Sequence, residues 1–146
     1  MTSSSQFEVF PVSVHVFFFR DDAVLMLRRE GTGFGDGLYS VPAGHVTHRE
    51  SIFAAAVREA REEVGLEVST TELRFLGSMY RFSTEARIDF FFAAERWSGE
   101  PINKEPEKCN EVTWFRTSQL PDNTVPYIRR ALNRSAKIGW FEEYEP

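Results

Sequence analysis

Glu50, Arg58, Glu59, Glu62, Glu63 and Gly65 fall in one 22-residue stretch, Gly44-His-Val-Thr-His-Arg-Glu50-Ser-Ile-Phe-Ala-Ala-Ala-Val-Arg58-Glu59-Ala-Arg-Glu62-Glu63-Val-Gly65. If positions 59, 62 and 63 lie on a helix, they are related by three and four residues. Their carboxylates then project from one face within reach of a common cation. Three converging carboxylates make a hard-oxygen site suited to Mg²⁺ or Mn²⁺, whereas a zinc site would show His or Cys among its ligands.

The stretch reads as a helix on independent grounds. Phe53, Val57, Ala60 and Val64 follow i, i+4, i+7 and i+11, an apolar stripe with the acids lying off it. Ser51 is the preferred N-cap, although Thr47 with Glu50 three residues on also fits a capping box. Gly65 is placed to end the helix in a left-handed conformation. Arg58 has Glu62 at i+4, so its fork can orient that carboxylate or a neighbour without itself meeting a metal. A helix rich in Glu and Arg is ordinarily just a solvated face. Gly44 and Glu50 at a set distance ahead of this one, and Gly65 at its close, argue for more.

At this point the residues resemble a known family. Residues Gly44 to Leu66 follow Gly-x5-Glu-x7-Arg-Glu-U-x-Glu-Glu-x-Gly-U, with U aliphatic, which is the Nudix box. Ala60 is the soft departure, small where the family places Leu, Ile or Val. The resemblance implies a Nudix-type α/β/α sandwich with a mixed sheet, and Mg²⁺-dependent (or Mn²⁺-dependent) hydrolysis of a diphosphate linkage in a nucleoside diphosphate derivative. It assigns the metal to Glu59 and Glu63, assisted by Glu62 and the backbone carbonyl of Gly44. Glu50 supports the cluster or a second ion, and Arg58 fixes the carboxylates in place. The attacking water needs a base, either Glu62 or an acid outside the box. A proline about sixteen residues past the box would mark ADP-ribose, and a tyrosine near that distance dinucleoside polyphosphates. The region reads Tyr80-Arg-Phe82-Ser, without the proline and with Tyr80 slightly early. The markers for NADH and coenzyme A are also missing. Elimination leaves a nucleoside or deoxynucleoside triphosphate, oxidised forms included, cleaved to monophosphate and pyrophosphate. An ADP-ribose or nucleotide-sugar pyrophosphatase and a non-catalytic nucleotide-binding module are the alternatives.

The 146-residue length fits a single domain, 1–146, with its own core. Fourteen Phe and 42% hydrophobic residues exclude disorder and imply a Phe-rich interior. A net charge of −5 argues for a small nucleotide rather than a nucleic-acid polymer as partner, since contacting many phosphates needs a basic surface. The start lacks the pattern of a signal peptide, no apolar run is long enough to span a bilayer, and the lone Cys109 precludes an internal disulfide. The expectation is a cytoplasmic protein without a membrane partner, monomeric or homodimeric.

The flanking elements alternate. Val12 to Arg20 and Ala23 to Arg28 read as a hairpin turned by Asp21-Asp22. A glycine-rich loop, Glu30 to Gly37, leads to a short strand Leu38 to Val41. A second hairpin runs Leu73 to Phe82 and Arg87 to Trp97 around Ser83-Thr84-Glu85-Ala86, with Phe90 to Ala94 apolar enough for burial on both faces. Val112 to Arg116 reads as the last strand. A final helix runs from about Val125 to Lys137, capped by Thr124 or Asn123, with Pro126 in its first turn and Gly139 past its end.

Candidates outside the box are spread along the chain. The glycine-rich loop enters a strand rather than a helix, so it is not a P-loop; it is either a plain connection or a substrate-contacting loop, with Phe34, Asp36 and Tyr39 able to meet a base. His45 and His48 lack a third N or S donor and are not ligands. His15 is a polar member of an apolar strand, facing out or hydrogen-bonded. Among outlying acids Glu107 leads as general base, ahead of Glu105 and Glu111, with Glu85 and Asp89 as rivals. Arg81 and Arg87 are candidates for phosphate contact.

Overall fold

The computed structural model describes residues 6–82 and 84–146; the serine-rich start and Ser83 of the second turn lie outside the described residues. Eight strands among the described residues form one mixed sheet: β1 (Val12–Arg20), β2 (Ala23–Arg29), β3 (Tyr39–Ser40), β4 (Ala43–His45), β5 (Arg74–Phe82), β6 (Ala86–Ala94), β7 (Cys109–Arg116) and β8 (Trp140–Tyr144). Their order is β3-β2-β1-β6-β5-β8, with β4 also paired to β1 and β7 to β2. The pairs β1–β6 and β5–β8 are parallel and the rest antiparallel. Helices α1 (Ile52–Val64) and α2 (Pro126–Asn133) cover opposite faces.

Strand alternation builds the two cores. Val14, Val16 and Phe18 of β1 pack on the α1 side, while Phe17 between them packs on the α2 side. Phe91 and Phe92 of β6 divide in the same way, so the apolar run is buried on both faces as expected. The first hairpin opens soon after its turn. β1 and β2 pair only at Phe19↔Val24 and Arg20↔Ala23, after which β1 takes β4 as its partner and β2 takes β7 and β3. The gap between the diverging strands becomes a cleft.

α1 starts at Ser51, whose hydroxyl accepts from Ala54 N at 3.1 Å, and ends at Gly65 with φ 69°. The face it buries is shifted from the Phe53–Val57 stripe. Ala55, Ala56, Ala60 and Val64 are the buried residues, Phe53 is 39% exposed and edge-on to Phe92, and Val57 is partly buried. Small side chains let the helix lie close to the sheet, and Ala60 belongs to that set.

Three other expectations change. β4 forms where the sequence reads as loop, because three residues are too few to show a period. β7 begins at Cys109, and β8 follows it as a later edge strand on β5. α2 ends at Asn133 and has no side-chain cap: Thr124 Oγ1 donates to Pro121 O and Asn123 Nδ2 to Gly37 O. Pro126 has no N–H, so the first turn has one fewer donor to satisfy.

Candidate active site

A cleft of about 760 Å³ opens between the separated strands, walled by Ser13 and His15 of β1, Leu27 and Arg29 of β2, and the inner face of α1. Arg58 organises its acidic side. Nε and Nη2 donate to the two oxygens of Glu50 at 2.7 and 3.0 Å, Nη1 to Glu59 at 2.7 Å and Glu62 at 3.1 Å, and Nη2 also to His45 O at 2.9 Å. Glu50 further accepts from the backbone N–H and hydroxyl of Thr47, both at 3.0 Å. The Thr47–Glu50 pairing is therefore a turn ahead of α1 rather than its cap. These bonds, Arg58 foremost, hold the Glu50 carboxyl down at about 2.

Glu63 and Glu59 are displaced in the opposite direction. Burial pushes the Glu63 carboxyl well above the usual carboxylate range, against one N–H donated by Ala43 at 2.7 Å; Glu59 and Glu105 push it further. Glu59 is also raised, by burial first, against the pull of Arg58. Gly44 stands so close to the Glu59 carboxylate that any Cβ would overlap it. One oxygen of each acid stays without a hydrogen bond at the lining of the cleft. Among the described residues no three acid or imidazole side chains stand close enough to ring one ion as they are. The free oxygens still fit a hard divalent cation, which would draw them together.

Of the outlying acids, Glu105 lines the cleft and Glu107 does not. The loop before β7 is tied to the end of α1 by Ile102 N to Val64 O and Lys104 N to Glu63 O, and Asn103 Oδ1 then accepts from Glu105 N. This register brings position 105 to the acids and leaves the Glu107 side chain exposed, with its carbonyl against Gly31. Glu111 accepts from the Tyr39 phenol. Tyr39, edge-on to Phe115, is consequently kept out of the cleft. Asp36 is used internally too, accepting from Thr32 N at 3.1 Å, Thr32 Oγ1 at 2.6 Å and Gly33 N at 3.1 Å. Phe34 of the same loop does reach the rim, 66% exposed, with Arg29 Nε donating to its carbonyl at 2.9 Å. His45 is exposed, and His48 is not part of the cleft lining.

The opposite wall was only partly legible. Arg81 and Arg87 both line it. Arg81 is clamped by Asp89, which is fully buried: Nε to Oδ2 is 2.8 Å and Nη2 to Oδ1 is 3.4 Å. Its guanidinium carbon lies 3.7 Å from the Tyr127 ring centroid. Asp89 is thus occupied in an ion pair, and Glu85 is an exposed partner of Arg87. His15 Nε2 meets Tyr127 Oη at 3.2 Å, and its ring stacks on Phe91. Polar residues at inward positions of apolar strands, His15 between Val14 and Val16 and Asp89 before Phe90, were the available signal.

Burial lowers the His15 imidazole to about 4, against the attraction of Asp89 and aided by Arg81 and Arg87. Tyr127, facing it from α2, is raised to about 12 by burial and stays neutral. With a depressed folded value, the stability tied to neutral His15 is present above about pH 6.5 and lost as pH falls through 4. Urea unfolding at pH 7 and pH 4 is expected to show His15→Phe losing about 3 kcal/mol less than wild type across that window. Equal losses in the two proteins would show that His15 is not the buried neutral group.

The cleft thus sets oriented carboxylates on one side and guanidinium groups on the other. The NUDIX domain profile matches residues 9–134. The NAD-capped RNA hydrolase NudC of Pseudomonas aeruginosa is 38% identical over 110 residues, 75% of this chain and 37% of that protein. Nudix hydrolase 10 of Arabidopsis thaliana is 32% identical over 87 residues, covering 59% of this chain and 31% of that protein. The chain thus spans about a third of the length of these curated relatives. Among solved structures, a MutT NUDIX hydrolase from Burkholderia pseudomallei superposes with TM-score 0.79 at 25% identity, covering 85% of this chain and 96% of the other. A NUDIX hydrolase from Nitrosomonas europaea shares the fold, with TM-score 0.81 at 16% identity over 97% and 82% of the two chains.

The chain belongs to the Nudix family. Members of the family that it resembles are named as hydrolases. No helix among the described residues is long and apolar enough to cross a membrane.

Proposed function

We propose that the protein is a cytoplasmic Mg²⁺-dependent pyrophosphohydrolase that converts a nucleoside or deoxynucleoside triphosphate, oxidised forms included, to its monophosphate and pyrophosphate. The observation that carries this reading is the pair Glu59–Glu63, partly buried at the cleft with one oxygen of each free of any hydrogen bond. Glu59 and Glu63 hold the metal, with Glu62 and the Gly44 carbonyl beside them. When bound there, Mg²⁺ or Mn²⁺ neutralises phosphate oxygens and acidifies water. Glu105 takes the proton of the attacking water; its oxygen bonds to phosphorus in line as the bond to the leaving pyrophosphate breaks. Glu50 fixes Arg58, and Arg58 fixes Glu59 and Glu62. Arg87 and Arg29 face the phosphates.

Arg58→Lys is expected to lower kcat/KM by roughly 10- to 100-fold, because a point charge cannot reproduce a fork shared among three carboxylates and a carbonyl. Steady-state kinetics over a Mg²⁺ titration checks this; unchanged kinetics would remove Arg58 from the positioning role.

A second reading, a dinucleotide diphosphate of the NAD type, is favoured by the relatives named as NAD-capped RNA hydrolases. One panel separates the readings: nucleoside triphosphates, NAD⁺, NADH, ADP-ribose and nucleotide sugars, with and without Mg²⁺, products resolved by chromatography. Pyrophosphate released from triphosphates supports the first reading, and AMP with a nicotinamide mononucleotide the second. No metal-dependent cleavage of any member would overturn both.

A further inference from the structure

Asp89 occupies one edge of the Arg81 guanidinium, the fork made by Nε and Nη2, and Tyr127 covers one of its faces. The end-on fork of Nη1 and Nη2 stays available, on a side chain that lines the cleft and is only 13% exposed. A guanidinium held on two sides is a directed donor pair with little rotamer freedom left to lose. Its charge is already matched by the buried Asp89. Tyr127 lies against it, and His15, whose ring stacks on Phe91, bonds to Tyr127; Arg87 stands further along the same cleft. A charge-matched guanidinium with a fixed pair of N–H donors suits an uncharged planar group edged with acceptors better than a phosphate, for which Arg87, paired only with the exposed Glu85, is the better partner.

We propose that Arg81, set by Asp89 and Tyr127, is the specificity-determining residue of this cleft and selects nucleotides whose base presents a keto oxygen over those presenting an amino group. The inference rests on the nucleotide reading given above. A keto base offers an acceptor, in guanine and hypoxanthine paired with N7, where adenine and cytosine offer N–H donors that oppose those of Arg81. Asp89 is a positioning residue, acting through Arg81.

The test uses matched substrates that differ at that group and the adjoining ring nitrogen: ITP against ATP and UTP against CTP, with Mg²⁺, for wild type, Arg81→Lys and Asp89→Asn. Wild type is expected to favour the keto member of each pair by about tenfold or more in kcat/KM. Arg81→Lys brings the ratio close to one by raising KM for the keto substrates more than for the amino substrates. Asp89→Asn reduces the ratio only in part. Equal losses on all four substrates, or a wild type without keto preference, would overturn the proposal. If no triphosphate is cleaved the function proposed above fails, and a separate measurement then decides this inference: calorimetric binding of IMP against AMP to the wild-type protein. Tighter binding of IMP supports Arg81 as reader, and equal binding overturns it. The same binding comparison serves if either variant fails to fold.

Discussion

Glu63→Gln is expected to lower hydrolysis by on the order of a thousandfold or more while leaving the thermal unfolding temperature at neutral pH unchanged or higher. Glu63 is a partly buried acid of α1, and its one hydrogen bond among the described residues comes from Ala43 N. Glutamine keeps an oxygen to accept that N–H and removes the charge. The fold therefore loses no bond, and it sheds a carboxylate whose ionised form burial disfavours. Several kcal/mol of transition-state charge stabilisation is attributed to a catalytic metal, and each 1.4 kcal/mol is about tenfold in rate. A variant that cannot complete the cation site loses most of that. Turnover measured on the best substrate of the panel, beside circular-dichroism melts, decides the matter. Activity within about tenfold of wild type would remove Glu63 from the metal site, and a large fall in melting temperature would give it a structural role instead.

Gly77→Ala is expected to be the most damaging small substitution away from the cleft. Gly77 sits at the irregularity in β5 where the register against β6 shifts, and it pairs with Trp140 of β8. A Cβ there would overlap the Trp140 indole and lie 2.6 Å from the Trp140 carbonyl oxygen. The constraint is space rather than backbone conformation, because Gly77 is not among the glycines with positive φ. The indole packs on Phe91 and stands in the α2-side core, so moving it disturbs buried neighbours. Overpacking of this kind costs about 3 kcal/mol, and here β8 must also shift. For a chain of this length the melting temperature should fall by roughly 6–12 °C. A fall under about 2 °C would mean that β8 yields without cost.

Much of the catalytic half was legible because it is local. The acids of α1 and the Arg58 that orients them lie within twenty residues of one another, and helical spacing places them without help from the rest of the chain. Ser51 and Gly65 marked the helix ends for the same reason. The helix face was misjudged at Phe53, since the stripe rule favours large apolar residues while this helix approaches the sheet through alanines. The second wall was harder to read because its parts are distant. His15 and Tyr127 are separated by 112 positions, and only the pairing of β1 with β6 and the return of α2 bring them together. Arg81 and Arg87 could be named from their strands, but the clamp by Asp89 could not. Glu105 and Glu107 differ by two residues in a loop, and backbone bonds to the end of α1 choose between them.

The opening of the first hairpin has a consequence for how such an enzyme can diversify. Because β1 parts from β2, the groups proposed for hydrolysis gather at one end of the cleft, from α1, the Gly44 carbonyl and Glu105, while those proposed to read the far end of the substrate come from β5, β6 and α2. On that proposal, substitutions at positions 81, 89 or 127 would change which nucleotide is accepted without touching Glu59, Glu63 or Arg58. A lineage carrying this chain could retune its diet one residue at a time while its hydrolytic machinery stayed intact.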